Sequence, residues 1–126
     1  MGSTYANLTI TNILSKKQIK ITALVDTGAT FMSITEEMAA QLGFDISQAD
    51  IQTVTVADGR TIDVPSISPI EVAYSNRDYV TEALVLGDEA LMGVLLLEAM
   101  DLQVDPTHRT LVVNPLHPAF SVASAK

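Results

Sequence analysis

The chain has no cysteine and no tryptophan, only three tyrosines, three phenylalanines and two histidines, and seven basic side chains among 126 residues. Without cysteine there is neither a disulfide framework nor thiolate chemistry nor a zinc–thiolate site, so the fold stands on packing alone. The few basic residues, Lys16, Lys17, Lys20, Arg60, Arg77, Arg109 and Lys126, are scattered and form no stripe that could follow a phosphate backbone. Against fifteen acidic residues they leave a formal charge of −8, which argues against a nucleic-acid partner. Long apolar runs are also missing. The longest, Ala90 to Leu97, is closed by Glu89 and Glu98, far short of the roughly 18 to 20 residues that a membrane span requires. The polar opening MGSTYANLT holds no apolar stretch of the signal-peptide kind, and Ala6 stands where a myristoylation motif needs Ser or Thr. A soluble, cytoplasmic protein with no membrane partner is expected.

What the chain does have is alternation. About half of it is hydrophobic, enough for one compact domain with a real core. Leu8 and Ile10, then Ile19, Ile21, Ala23 and Val25, alternate with polar residues on either side of SKKQ, which predicts a hairpin. Thr35 is placed to cap a short helix with Glu36 and Glu37 in its first turn, Met38 and Leu42 on one face, and Gly43 as the stop. A second hairpin is expected about Asp58-Gly59, its far arm ending at Pro65, and a third turning at Ser75-Asn76-Arg77. Asp88-Glu89 read as helix-start charges, LLLEAMDL as a short helix with mostly buried leucines, and QVDPTHRTLVV as two strand fragments. Residues 1–113 form the expected domain, mainly β with two short helices, and 114–126 a Pro-, Ala- and Ser-rich tail. There is a faint internal echo: ALVDTG and ALMG each join a strand to a helix containing Met-Ala or Ala-Met.

The residues that demand chemistry are ALVDTGATF, 23–31. An apolar strand delivers Asp26 to the edge of the core and then turns on Thr27 and Gly28. A surface turn is one reading, since Asp, Thr and Gly are all common there. The other begins from cost: a carboxylate at the rim of a core is expensive unless bonded, paired or protonated. Two carboxylates facing one another share a proton, so one serves as base while the other serves as acid. Such a pair can deprotonate a water and protonate a peptide carbonyl. The chain has one Asp-Thr-Gly, so the second carboxylate would come from a second copy across a two-fold axis.

ALVDTGAT, VADGR and ALVLGDEALMGVLLLEAMDL, in that order over residues 5–113, resemble the retropepsin-like aspartic proteases. Asp-Thr-Gly-Ala/Ser alone would arise by chance in on the order of one chain in a few hundred of this length, so the weight lies in the three segments together. The resemblance implies a retropepsin-like half-barrel with a flap hairpin and short helices, a two-fold homodimer, a polypeptide substrate and no cofactor or metal. It makes Asp26 the catalytic aspartate, Thr27 a brace across the dimer axis, and Gly28 the residue that lets backbone approach the carboxylates. Ala29, Thr30, Ala57, Asp58, Gly59 and Arg60 would contact substrate, the last four as the flap tip, while Leu91, Met92 and Gly93 would back the active-site loop. The chain departs from the retroviral pattern at Thr30 and Val94, which stand in place of an Asp and an Arg that form an ion contact; their joint replacement orphans no charge. The implied activity is aspartic endopeptidase; a catalytically silent module for dimerisation or peptide binding is the alternative. His108 and His117 are expected to be exposed loop residues, Asp101 and Asp105 ordinary edge or turn residues, and Met32, Met38, Met92 and Met100 core filler.

Overall fold

The computed structural model describes residues 2–119. The first hairpin forms as its alternation predicts: β1 (Tyr5–Asn12) and β2 (Gln18–Val25) pair antiparallel with Leu8 opposite Ile21 and Ile10 opposite Ile19. Thr35 caps α1 (Glu36–Gln41), its side chain accepting from the Met38 N–H at 3.1 Å, and Gly43 follows at a positive φ of 85°. A single 3-10 turn, Ile46–Gln48, leads into β4 (Asp50–Thr55).

The second and third hairpins share a strand. β5 runs unbroken from Thr61 to Tyr74, pairing with β4 along its first half and with β6 (Arg77–Val85) along its second. Pro65 therefore does not end the arm. It sits in register with Ile51, and the ladder to β6 begins only at Ser66, so the missing N–H can face that side without losing a bond. A register shift between Ile67 and Ile70 bends the strand where it passes from one partner to the other.

Two short strands escape the alternation pattern. β3 (Ser33–Ile34) runs parallel to β6 and antiparallel to β7 (Ala90–Met92), and β7 runs parallel to β2. The internal echo is a pairing register: Ala23, Leu24 and Val25 lie opposite Ala90, Leu91 and Met92. Asp88 and Glu89 precede β7 rather than a helix, because α2 (Val94–Met100) begins only after Gly93.

The sheet order β1-β2-β7-β3-β6-β5, with β5 pairing back to β1, closes a six-stranded barrel, and β4 stands outside it on the β5 edge. Leu8, Ile10, Ile34, Ile70 and Met92 fill the interior. Ala39 of α1, Leu42 at its C-cap, and Leu96, Leu97 and Met100 of α2 are buried in the same core, while Leu95 faces outward. β8 (Leu102–Asp105) and β9 (Thr110–Val113) form a separate ribbon whose Leu102 and Leu111 join the core. The fold is mainly β, as expected, but a closed six-stranded barrel with two short helices stands where a half-barrel was anticipated.

Candidate active site

β2 ends at Val25, and the chain leaves the sheet at Asp26 under three restraints. The Asp26 N–H donates to the Met92 carbonyl at 3.0 Å, continuing the β2–β7 ladder by one bond. The Asp26 carbonyl accepts from the Ala29 N–H at 3.1 Å, closing the turn. The carboxylate itself accepts from the Gly28 N–H at 2.9 Å, which turns the side chain over its own loop. Asp26 is half-buried, and Thr27 and Gly28 are exposed.

The far side of the loop is clamped by α2. Val94 N–H donates to the Ala29 carbonyl at 2.8 Å and Leu95 N–H to the Thr30 carbonyl at 3.2 Å. Gly93 makes this fit possible, because a β-carbon there would lie 2.6 Å from the Phe31 carbonyl oxygen and 2.8 Å from the Thr30 backbone. The Leu91-Met92-Gly93 segment thus backs the loop as expected, through backbone contacts. Thr30 and Val94, where the retroviral pattern carries an ion pair, each contribute one backbone group to this clamp, Thr30 its carbonyl to Leu95 and Val94 its N–H to Ala29.

Over the loop stands the β4–β5 hairpin. Its tip is a three-residue loop in which Gly59 N–H donates to the Val56 carbonyl and Val56 N–H to the Arg60 carbonyl, both at 2.9 Å. Only Gly59 takes a positive φ, 89°, so the tip is not the two-residue turn expected of Asp58-Gly59, in which both residues are left-handed. Asp58 instead bonds the Arg60 N–H at 3.0 Å and pairs with its Nε at 2.6 Å. First the Arg60 N–H and then its guanidinium hold the Asp58 carboxyl below its ordinary range.

Between loop and hairpin lies a cleft of about 670 Å³. Asp26, Gly28, Ala29, Thr30 and Ala57 border it; Thr27 does not, and Asp58, Gly59 and Arg60 lie beyond its lining at the exposed tip. Sequence reasoning missed most of the walls, among them Phe31, Gln52, Val54, Leu84 and Leu86, and gave Leu91 only a backing role. The two-residue spacing of Leu84 and Leu86 was a usable signal. That they face a cleft instead of the core follows only from how β6 meets β3. Across three adjacent strands, Gln52 Nε2 donates to Glu82 Oε1 at 2.9 Å, and Ser66 Oγ lies 3.4 Å from Glu82 Oε2, bracing the base of the hairpin.

The family model for the gag-polyprotein putative aspartyl protease matches residues 13–99, spanning the loop, the hairpin and most of α2. The chain belongs to this family. Among solved structures it is similar to a retropepsin-like aspartic protease from Rickettsia conorii, at 27% identity over 82% of this chain and 77% of that one, with a TM-score of 0.64. It also shares the fold of the retroviral protease-like domain of Ddi1 from Leishmania major, at 19% identity over 90% and 89% of the two chains and a TM-score of 0.60. No curated protein matches the chain significantly.

Two other sequence expectations meet the structure outside the lining of the cleft. His108 is exposed, as expected, and pairs with Asp105 at 2.8 Å, where its bonds hold the Asp105 carboxyl below the ordinary range. His117 and Asp101 are not simple loop and edge residues. His117 Nδ1 lies 2.6 Å from Asp101 Oδ2, Asn114 Nδ2 donates to Asp101 Oδ1 at 2.9 Å, and the buried Arg77 donates from Nη2 to the His117 carbonyl. These bonds fasten the start of the tail to the barrel.

Proposed function

We propose that the chain is an aspartic endopeptidase that works as a homodimer, with Asp26 of each subunit forming the catalytic pair. The observation that carries this reading is the position of Asp26: one half-buried carboxylate bordering a cleft of about 670 Å³, on a loop held from behind by β7 and α2, with Thr27 and Gly28 exposed and so open to a second copy. Family membership supports the peptidase class.

In the pair, mutual repulsion leaves one proton shared between the two carboxyls. The ionised Asp26 takes a proton from a water, whose oxygen attacks the scissile carbonyl carbon, while the protonated Asp26 gives its proton to the carbonyl oxygen. Collapse of the tetrahedral intermediate expels the amine, protonated by the carboxyl that first acted as base, while one hydroxyl of the intermediate gives its proton to the other carboxylate as the carbonyl re-forms, so the pair regains its single proton. Ala57 to Arg60 close over an extended substrate and offer backbone hydrogen bonds in the manner of an added strand. Thr27, a small hydroxyl able to donate and accept, braces the two loops across the axis.

The test is cleavage of casein by the purified chain and by Asp26→Asn across pH and protein concentration. Activity that grows with concentration through the dimer constant, vanishes in the variant and falls when pH rises enough to strip the shared proton is expected. Full activity from a strictly monomeric species would overturn the two-fold site. A stable dimer that cleaves nothing would leave a peptide-binding module.

A further inference from the structure

A second, smaller cavity of about 190 Å³ opens beside the cleft, bordered by Phe31, Met32, Tyr79, Glu82, Leu95 and Leu96, with Thr81 at its rim. Phe31 borders both cavities, so the second adjoins the cleft at this ring. Its floor is apolar, since Met32 and Leu96 are buried core residues. Its mouth is aromatic, with Phe31 and Tyr79 each more than two-fifths exposed. Its only ionisable carboxyl is Glu82, and no Lys, Arg or His borders either cavity. Among the described residues Glu82 has no cationic partner; its oxygens meet only the Gln52 amide and the Ser66 hydroxyl.

We propose that this cavity is a subsite for a lysine or arginine side chain of the substrate, at a position removed from the scissile bond, with Glu82 as counter-ion and Phe31 and Tyr79 as walls. The proposal rests on the peptidase reading of the cleft. A long basic side chain matches each surface in turn: its methylene stem packs on Met32 and Leu96 while the charged head stays near water. The rings attract the cation through their faces. The carboxylate supplies the opposite charge, and the chain's net −8 draws basic polypeptide toward it. An acidic substrate side chain would meet Glu82 with like charge and nothing to offset it. A purely apolar one would leave the carboxylate without a cation and gain only the stem contacts.

The experiment uses fluorogenic peptides in which each position is fixed in turn as lysine, as its uncharged isostere norleucine, or as glutamate. At one position lysine is expected to exceed norleucine in kcat/KM by about fivefold to tenfold, the size of a partly exposed ion pair with cation–π support. The preference should shrink with added salt. Glu82→Gln, which keeps the acceptor for Gln52, should lower the lysine-to-norleucine ratio severalfold, to the small preference that the rings alone supply, and Glu82→Lys should favour glutamate. Equal rates at every position, or a lysine preference unchanged in Glu82→Lys, would overturn the proposal while leaving the peptidase intact. If nothing is cleaved, the peptidase reading fails, and fluorescence anisotropy of the same peptides with Asp26→Asn decides the subsite separately. Tighter binding of the lysine peptide that weakens severalfold on adding Glu82→Gln supports it, whereas equal or absent binding overturns it.

Discussion

Gly93 and Phe31 meet backbone to backbone: a β-carbon on Gly93 would stand 2.6 Å from the Phe31 carbonyl oxygen. The turn that carries Asp26 is therefore seated against α2 by the absence of a side chain, and its position is set by main-chain atoms that cannot swing aside.

Gly93→Ala should displace the loop at Thr30 and Phe31. Forcing atoms into a packed contact costs about 1–3 kcal/mol. Denaturant unfolding should show a loss of that order, and casein cleavage should fall further than stability does, because the loop holds Asp26. An alanine variant with wild-type stability and activity would mean that the clamp gives way easily.

Thr27→Ala should weaken subunit association more than it disturbs the subunit. Thr27 is exposed in one chain, and among the described residues its hydroxyl makes no hydrogen bond. Sedimentation equilibrium should report a larger dimer dissociation constant with little change in the unfolding midpoint of the monomer. An unaltered constant would remove its bracing role.

Asp101→Asn should destabilise the fold strongly. The Arg77 side chain is 1% exposed, its guanidinium lies 3.9 Å from the Asp101 carboxylate, and two of its nitrogens have no hydrogen-bond partner among the described residues. Asparagine keeps the left-handed conformation that Asp101 adopts at the end of α2, φ 55°, but removes the countercharge. Breaking a buried pair in this way costs on the order of 3–5 kcal/mol. Adding Arg77→Met should recover part of the loss, and strictly additive effects in the double-mutant cycle would show that the two groups do not interact.

Tyr74→Phe should cost about 1 kcal/mol, the worth of one hydrogen bond, since the Tyr74 hydroxyl donates to the Leu111 carbonyl at 2.7 Å and ties the β8–β9 ribbon to the barrel. Burial raises the Tyr74 phenol above its ordinary value of 10.0. The neutral phenol is thus favoured in the folded state, so its contribution is complete below pH 10 and is lost as pH climbs through the raised folded value. Stability measured against pH should decline less steeply above pH 10 in the phenylalanine variant.

The regular hairpins were legible because alternation is a local property: Leu8 and Ile10, or Ile19 and Ile21, declare their buried face within a few residues. The Asp26 loop was legible for a related reason, being a short motif with its own turn chemistry. β3 and β7 were not, since two or three residues carry no period and Ser33 becomes a strand residue only by meeting Leu84 and Leu91, more than fifty positions away. Pro65 misled because its effect depends on which neighbour its missing N–H faces. Arg77 looked like a turn cation, and its burial is decided by Asp101 and the tail, which reach it from distant parts of the chain. The same limit hid the cavity beside Phe31, assembled from a loop, β6 and α2.

β5 runs as one strand of fourteen residues from the flap tip to the Tyr74 turn, so the hairpin over the cleft is an extension of the barrel wall. This constrains how such a chain can diversify. Side chains alternate along a strand, so one residue inserted into either arm would exchange the faces that meet cleft and solvent along the rest of that arm. Tolerated changes in flap length should therefore come two residues per arm at a time, or be confined to the three-residue tip, where no ladder has to be kept in step.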